Sequence, residues 1–193
     1  MVRWEPDARG RLQQAALTLY GEKGFDETTV AEIAERAGLT KRTFFRHFDD
    51  KREVLFSGSQ ELQALFVDGV TTAPKAAAPL DAVAVGLGAV AAMFEGRHEY
   101  AAQRQIVVAS NPELQERELI KLSTLGAAVA EALRGRGVKD PAAILAAESG
   151  ITVFRVAFEH WVDPANRDSL ERLMSELLGE MRAVTAAKGD LDN

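Results

Sequence analysis

The sequence has 193 residues, of which 47% are hydrophobic, and a formal net charge of −6, so it can form one large domain or a small domain joined to a larger one. It contains no cysteine, which excludes disulfides, thiolate zinc sites and cysteine nucleophiles. The amino-terminal residues lack the apolar run of a secretory signal, and the most apolar stretch, 79–94, contains Asp81 and is too short to span a bilayer. We therefore expect a cytoplasmic protein without a membrane segment.

The negative charge is unevenly distributed along the chain. Residues 1–56 hold ten basic and ten acidic side chains, whereas the remainder holds 13 basic and 19 acidic ones. Within 36–52, six Lys or Arg residues face only Asp49 and Asp50. A local basic patch of this kind suits specific DNA binding, because the field near the groove matters more than the total charge.

Apolar residues recur at helical spacing along almost the whole chain, and no useful strand pattern appears. The fold class predicted is all-α, with an N-terminal three-helix helix-turn-helix head, a C-terminal antiparallel helical bundle and about nine helices in total. The expected helices are 8–23, one that begins at Thr29, one that begins at Thr40, one from about 51 to 70, and then 80–95, 97–109, 112–135, 140–161 and 166–187. We expect a DNA-binding domain over 1–50 and a ligand-binding and dimerisation domain over 51–193, linked by the fourth helix.

The segment 29–52, TVAEIAERAGLTKRTFFRHFDDKR, carries the functional signal. Thr29 and Glu32 have the spacing of a capping box, and Gly38 can supply the positive φ of a tight turn before Thr40 caps the next helix. Phe44 and Phe48 are four residues apart and are expected in the core. Phe45 lies off that face and is expected to be exposed. The pattern predicts a helix-turn-helix whose second helix enters the DNA major groove.

These motifs resemble the TetR/AcrR family of transcriptional regulators, over about residues 10–56. The resemblance implies a homodimeric repressor with a DNA-binding head and a body that dimerises and binds a small molecule. It makes Thr29 a phosphate-binding cap, places Lys41, Arg42 and Thr43 at base edges, and gives His47 and Lys51 phosphate contacts. The DNA-binding residues expected are Thr29, Thr40, Lys41, Arg42, Thr43, Phe45, Arg46, His47 and Lys51. The alternatives are that His47 is merely a surface residue and that Lys51 only complements Asp49 or Asp50.

Two departures from the family pattern affect the DNA sequence that would be read. Arg42 replaces the small residue often found there, and its guanidinium can contact guanine in a bidentate manner. Phe45 stands where the family usually has tyrosine, so it can pack on a thymine methyl group or a sugar but cannot bond to a phosphate.

The body offers candidate ligand-binding residues, although apolar residues at helical spacing are more often plain core. Glu148, Thr152, Arg155 and Glu159 form a polar stripe on an otherwise apolar helix. This stripe indicates either an ion pair of Arg155 with Glu159 or Glu148, a dimer contact, or a group that orients a polar ligand end with Gln103 or Arg104. The ligand-binding residues expected are Met93, Phe94, Tyr100, Gln103, Arg104, Ile151, Arg155 and Phe158.

The last two helices are expected to form a four-helix bundle with a second copy. The interface residues expected are Phe154, Trp161, Leu170, Leu173, Met174, Leu177, Leu178 and Met181.

The sequence thus predicts a DNA-binding transcriptional regulator, a homodimeric repressor that a small hydrophobic ligand releases from a near-palindromic, inverted-repeat operator in double-stranded DNA. The alternative is a helical module that binds small molecules or proteins and has no DNA activity. An enzyme is not expected, because the three histidines do not form a metal-binding pair and no phosphate-binding loop follows a strand. No cofactor or metal is expected.

Overall fold

A computed structural model describes residues 7–186 of the chain, with side chains to Val184. All regular structure within this range is helical, which confirms the all-α fold class. The helices are α1 (Ala8–Lys23), α2 (Val30–Arg36), α3 (Lys41–His47), α4 (Glu53–Phe56), α5 (Ser59–Thr72), α6 (Pro79–Met93), α7 (His98–Ala109), α8 (Pro112–Gly135), α9 (Ala142–Trp161) and α10 (Leu170–Ala186). The expected fourth helix is divided, because Ser57 Oγ donates to the carbonyl of Val54 and Ser59 Oγ donates to that of Phe56, which ends α4 there.

The described chain forms two compact units. The head unit comprises residues up to 59 together with 99–119, so it contains α1–α4, most of α7 and the start of α8. Its core includes Leu12, Ile33 and Phe44, and it also includes Val108 and Leu114 from the later helices. The compact unit is therefore larger than the expected domain 1–50, because α4, α7 and α8 supply apolar side chains to this core.

The body unit comprises residues 60–98 and those from 120 onward. In it α9 packs against both α6 and α10. The crossing of α5, α6 and α9 is very close, since a Cβ added at Gly86 would lie 2.4 Å from a ring carbon of Phe66. One added at Gly150 would lie 2.5 Å from a methyl group of Val83. Glycine at these two positions therefore permits the packing of the body core.

Among the described residues, no single helix combines the length and the apolar composition needed to cross a membrane, and α6 with α7 would meet those criteria only as a bent pair.

Candidate nucleic-acid interface

The helix-turn-helix is fixed by caps at both of its helices. Thr29 Oγ1 accepts the N–H of Glu32, and the Glu32 carboxylate accepts the N–H of Thr29, so the capping box is present. Gly38 has φ 65°, and a Cβ there would lie 2.8 Å from the Arg11 guanidinium, which itself bonds to the carbonyl of Ala37. Thr40 Oγ1 then accepts the N–H of Thr43 to cap α3. These bonds set the direction in which α3 leaves the turn.

The three phenylalanines of this region divide between core and surface. Phe44 and Phe48 are buried, with ring centroids 5.5 Å apart, whereas Phe45 is 56% exposed. Phe45 contacts the edge of Phe44 from outside. Because a 3.6-residue turn rotates adjacent side chains by 100°, one helix packs Phe44 inward and presents Phe45 outward. The predicted division of Phe44, Phe45 and Phe48 is confirmed.

The outward face of α3 carries cations that have no partner in the described part of the chain. Lys41, Arg42 and Arg46 are exposed and form no hydrogen bond or ion pair with residues 7–186. Thr43, on the same helix, is half-buried, and its hydroxyl lies 3.1 Å from that of Thr40. The free cations and the exposed ring of Phe45 leave this short helix with one face that is both basic and aromatic.

Three other basic residues of the head are in contrast paired with acidic side chains. Arg36 donates to Glu22 at 2.8 Å, Arg52 to Asp50 at 2.7 Å and Lys23 to Glu32 at 2.5 Å. Hydrogen bonds from Lys23 and Thr29 lower the pKa of Glu32 to about 2. Unlike these three basic residues, the cations of α3 have no acidic partner among the described residues.

Asp50 is held ionised by its neighbours. Burial by itself would raise the pKa of Asp50, but hydrogen bonds from the Arg52 side chain and from the N–H groups of Glu53 and Arg52 together lower it. The same carboxylate accepts the N–H of Glu53 at the first turn of α4. The Asp50–Arg52 pair therefore serves the fold of the head.

Lys51 is engaged inside the head, which contradicts the predicted phosphate contact. Its ammonium donates to the carbonyls of Phe25, Asp26 and Thr28 at 2.8, 3.0 and 2.9 Å and lies 4.4 Å from the Phe25 ring centroid. All three N–H groups of the ammonium are used by these bonds. In this arrangement the ammonium of Lys51 has no N–H left for DNA. Its bonds instead close the loop that precedes α2.

His47, predicted to contact phosphate, is half-buried at the end of α3. Its Nε2 is shielded from solvent and has no hydrogen-bond partner among the described residues. Only Nδ1 is available to a phosphate in this rotamer. The phosphate contact of His47 remains a prediction that depends on that nitrogen or on a turn of the ring.

The head also matches a known family of proteins. Residues 12–57 match the profile described as "Bacterial regulatory proteins, tetR family". This segment of the head is therefore assigned to the TetR family.

Two relatives are transcriptional regulators of the helix-turn-helix type. The chain is 35% identical over 82 residues to the HTH-type transcriptional regulator TcmR of Streptomyces glaucescens, covering 42% of this chain and 36% of TcmR. It is 32% identical over 53 residues to IcaR of Staphylococcus epidermidis, a negative transcriptional regulator of a biofilm operon, covering 28% and 29%. The match thus spans about a third of the length of these relatives or less.

A solved structure of another protein has a similar fold over nearly the whole chain. FadR of Thermus thermophilus, a TetR-family transcriptional repressor solved in complex with lauroyl-CoA, is 23% identical with a TM-score of 0.55. This likeness covers 96% of the present chain and 98% of FadR. At this identity it supports the all-helical fold alone.

Three residues that were predicted to bind a ligand belong to the head unit. Tyr100 packs against the head core. Arg104 donates to the carbonyl of Leu55 and to Glu118, each at 2.8 Å, and its guanidinium stacks 5.0 Å from Phe56. Gln103 is exposed on the same helix. These contacts give Tyr100 and Arg104 a structural role in the head, and a ligand role for the three residues stays a prediction.

The remaining predicted ligand residues lie in the body. Arg155 is exposed and donates to Glu159 at 3.0 Å, so the predicted ion pair is present and a ligand role for Arg155 stays a prediction. Phe94 contacts both Phe154 and Phe158 in an aromatic cluster with Trp161. Ile151 is buried and Met93 is half-buried. A ligand role for Phe94, Phe158, Met93 and Ile151 stays a prediction.

The predicted dimer set is also corrected. Most of its members are buried within the protomer's own body unit, and two, Leu177 and Met181, are half-buried. The buried members are Phe154, Trp161, Leu170, Leu173, Met174 and Leu178. The buried members pack α10 on α9 and α6 within one chain, whereas a dimer role for Leu177 and Met181 stays a prediction.

Sequence reasoning missed the contacts that attach α7 and α8 to the rest of the head. Asn111 donates to Asp26 at 3.2 Å, and Arg117 donates to Glu53 at 2.5 Å. These pairs are 85 and 64 residues apart in the chain. Only the cap formed by Asn111, which accepts the N–H of Leu114, had a local signal, the Asn-Pro dipeptide.

Proposed function

We propose that this protein is a sequence-specific, DNA-binding transcriptional regulator, a homodimeric repressor that leaves a near-palindromic operator when a small, largely hydrophobic ligand binds. The observation that carries the proposal is the outward face of α3. Lys41, Arg42 and Arg46 have no internal partner there, while Arg36, Lys51 and Arg52 are satisfied within the head. Cations left unpaired on an α-helix that fits the major groove are available to phosphates and base edges.

Phe45 strengthens this reading of α3. A large apolar side chain that is 56% exposed beside three cations has no function in packing the head. On DNA the same ring can cover a thymine methyl group, which is an apolar feature of the major groove. A helix face that only contacts solvent would not need both unpaired cations and an exposed aromatic ring.

Ligand-responsive repression is supported by what is known of similar proteins. IcaR is a negative regulator, and the FadR structure contains lauroyl-CoA. To shift a regulator fully from its DNA-binding state, the ligand must prefer the other state by about 5.5 kcal/mol. An effector of this chain is therefore expected to bury substantial surface.

Selection from random duplex DNA with the purified chain tests the proposal. We expect an inverted repeat whose half-sites are one helical turn apart, since two recognition helices must enter successive major grooves about 34–36 Å apart. Recovery of DNA without a consensus would refute sequence-specific regulation. That result would favour the alternative, a helical binding module without DNA activity.

Arg42 is expected to read a base. The change Arg42→Ala should cost about 1–3 kcal/mol at the selected operator and relax the preference at one position of each half-site, because a bidentate contact to guanine is lost. Repeating the selection with the variant measures both effects. The matched control is Arg36→Ala, which removes a guanidinium already paired with Glu22 and should leave the consensus unchanged. An identical consensus for Arg42→Ala and the wild type would contradict base reading.

The homodimer is proposed to form through the outward faces of α9 and α10, since their inward faces are occupied. Leu145 on α9 and Val184 on α10 are 64% and 74% exposed. Gly179 of α10 is itself exposed, with nothing within 4 Å of a Cβ built there. This face can therefore accept a closely packed helix from a second copy.

The variant Gly179→Arg is expected to convert the dimer to a monomer, because the new side chain projects from the proposed interface without disturbing its own protomer. Sedimentation velocity measures the change, and operator affinity should fall at least about tenfold with the loss of the second head. Gly135→Arg, at an equally open helical glycine of α8, is the control and should remain dimeric. A Gly179→Arg protein that sediments as a dimer would place the interface elsewhere.

A further inference from the structure

The body unit contains an open cavity of about 330 Å³ at the ends of four helices. It lies where α6 and α9 end and where α7 and α10 begin. The lining residues that matter here are Gly88, Phe94, Glu95, His98, Trp161 and Glu171. This volume is at the lower end of the range for small-molecule sites.

One wall of the cavity is aromatic and fixed in place. Trp161 is nearly buried, and its ring meets Phe94 at 5.8 Å and His98 at 4.9 Å, both in edge-to-face geometry. The imidazole Nε2–H of His98 donates to the carbonyl of Trp161 at 2.8 Å. A wall held by these contacts is formed before any ligand arrives, so binding loses little side-chain entropy.

The charges at the cavity are acidic. Glu95 and Glu171 both line it, and neither carboxylate has a hydrogen bond or ion pair with any described residue. No lysine or arginine is among the described lining residues. Two helix C-termini and two N-termini meet here, so their dipoles oppose each other and the side chains determine the sign of the field.

The alternative space for a ligand, between α5, α6 and α9, is filled. The Phe66 ring is fully buried against Gly86 and Gly150 at distances that leave no room for even one added carbon at Gly86. A ligand would have to displace Phe66 to enter there. The cavity at the helix ends needs no such displacement.

We propose that this cavity is the effector site and that it takes a small organic monocation with an apolar body, such as an aromatic or alkyl ammonium. The regulatory role of the ligand rests on the proposed function, whereas its binding to the cavity does not. Trp161 and Phe94 supply the ring faces and edges against which an apolar cation packs, and Glu95 and Glu171 supply the opposite charge. An acidic ligand such as a fatty acid is disfavoured by the same two carboxylates.

A second observation connects this cavity to the head. His98 lines the cavity and is the first residue of α7. From Glu99 onward the residues of that helix belong to the head unit. A ligand that presses on His98 or Trp161 would therefore act on the start of a helix that contributes Val107 and Val108 to the head core.

Calorimetric titration with benzyltrimethylammonium tests the site, because the uncharged isostere neopentylbenzene and the anion benzoate have similar aromatic bodies. We expect the cation to bind at least about tenfold more tightly than either of the other two. Equal affinity for the cation and its neutral isostere would overturn the proposal, as would the absence of any binding of the cation.

Variants locate the site. Glu95→Gln with Glu171→Gln should weaken the cation about tenfold or more and leave the neutral isostere unaffected. The control pair Glu61→Gln with Glu180→Gln removes the same charge from exposed positions outside the cavity and should bind as the wild type does. Gly88→Leu should abolish binding of the cation, because a Cβ there meets nothing within 4 Å and the larger side chain fills the cavity. Wild-type affinity in Gly88→Leu or in the Glu95 and Glu171 double variant would overturn the assignment.

The two proposals fail in different ways. If random DNA yields no inverted repeat, the regulatory function is refuted. The calorimetric titration then still tests whether the cavity binds the cation. If an operator is found and the cation binds, benzyltrimethylammonium should release the wild type from it and should not release the double variant. Binding of the cation without release of the operator would refute the effector role of the cavity.

Discussion

Replacing Phe44 with alanine should lower the free energy of unfolding of the head by about 3–5 kcal/mol, the usual cost of truncating a fully buried phenylalanine. Its ring is completely buried and packs with Phe48 and Phe45 at centroid distances of 5.5 and 5.4 Å. Other aromatic side chains pack around this ring in the head core, so the surrounding helices can collapse only partly into the space. Urea denaturation followed by circular dichroism, together with hydrogen exchange of the α1–α3 amides, measures the loss.

Phe45 provides a matched control on the same helix. Because its side chain is mostly exposed, Phe45→Ala should change stability by no more than about 0.5 kcal/mol. It should instead weaken operator binding by about 1 kcal/mol through loss of apolar contact with the groove. Fluorescence anisotropy with labelled operator measures that affinity. If Phe45→Ala destabilised the head as much as Phe44→Ala, the orientation assigned to α3 would be wrong.

The residues around α3 show how far local sequence determines structure. The capping box at Thr29, the turn at Gly38 and the opposite faces of Phe44 and Phe45 depend on residues at most a few positions apart. Such features follow from backbone geometry and helical periodicity. They were therefore predictable in detail, as were most helix boundaries.

The ligand and dimer assignments depend on which element each helix face meets. The periodicity of α10 shows an apolar stripe around Leu173 and Leu178, but the same stripe would suit a partner chain or the protomer's own α9. Likewise, nothing near Arg104 in sequence indicates that its guanidinium bonds to the carbonyl of Leu55, 49 residues away. Long-range pairing of this kind is not encoded in local patterns, so the ligand and dimer residues could not be placed from sequence.

The bonds of Lys51 to carbonyls more than 20 residues away could not be derived from local sequence either. They are the basis of the second large prediction. Lys51→Met should destabilise the head by about 2–4 kcal/mol, since the thioether retains most of the apolar stem but removes an ammonium bonded to three carbonyls. The attraction between the ammonium and the Phe25 ring is lost as well. Because Thr28 and the cap at Thr29 follow the loop that Lys51 closes, we expect α2 to lose hydrogen-exchange protection first.

Lys41→Met is the matched control, since Lys41 is exposed and unpartnered among the described residues. It should leave the urea midpoint unchanged and reduce the slope of operator affinity against salt, because one cation of the DNA-facing helix is removed from each head. Lys51→Met, measured at a temperature where it is still folded, should show the opposite combination, a lowered urea midpoint with an unchanged salt slope. A reduced salt slope for Lys51→Met at wild-type stability would mean that Lys51 leaves its three carbonyls for a phosphate. The combination distinguishes the two lysines because screening by salt acts on contacts with DNA, whereas the loop bonds of Lys51 act on the folded head even when no DNA is present.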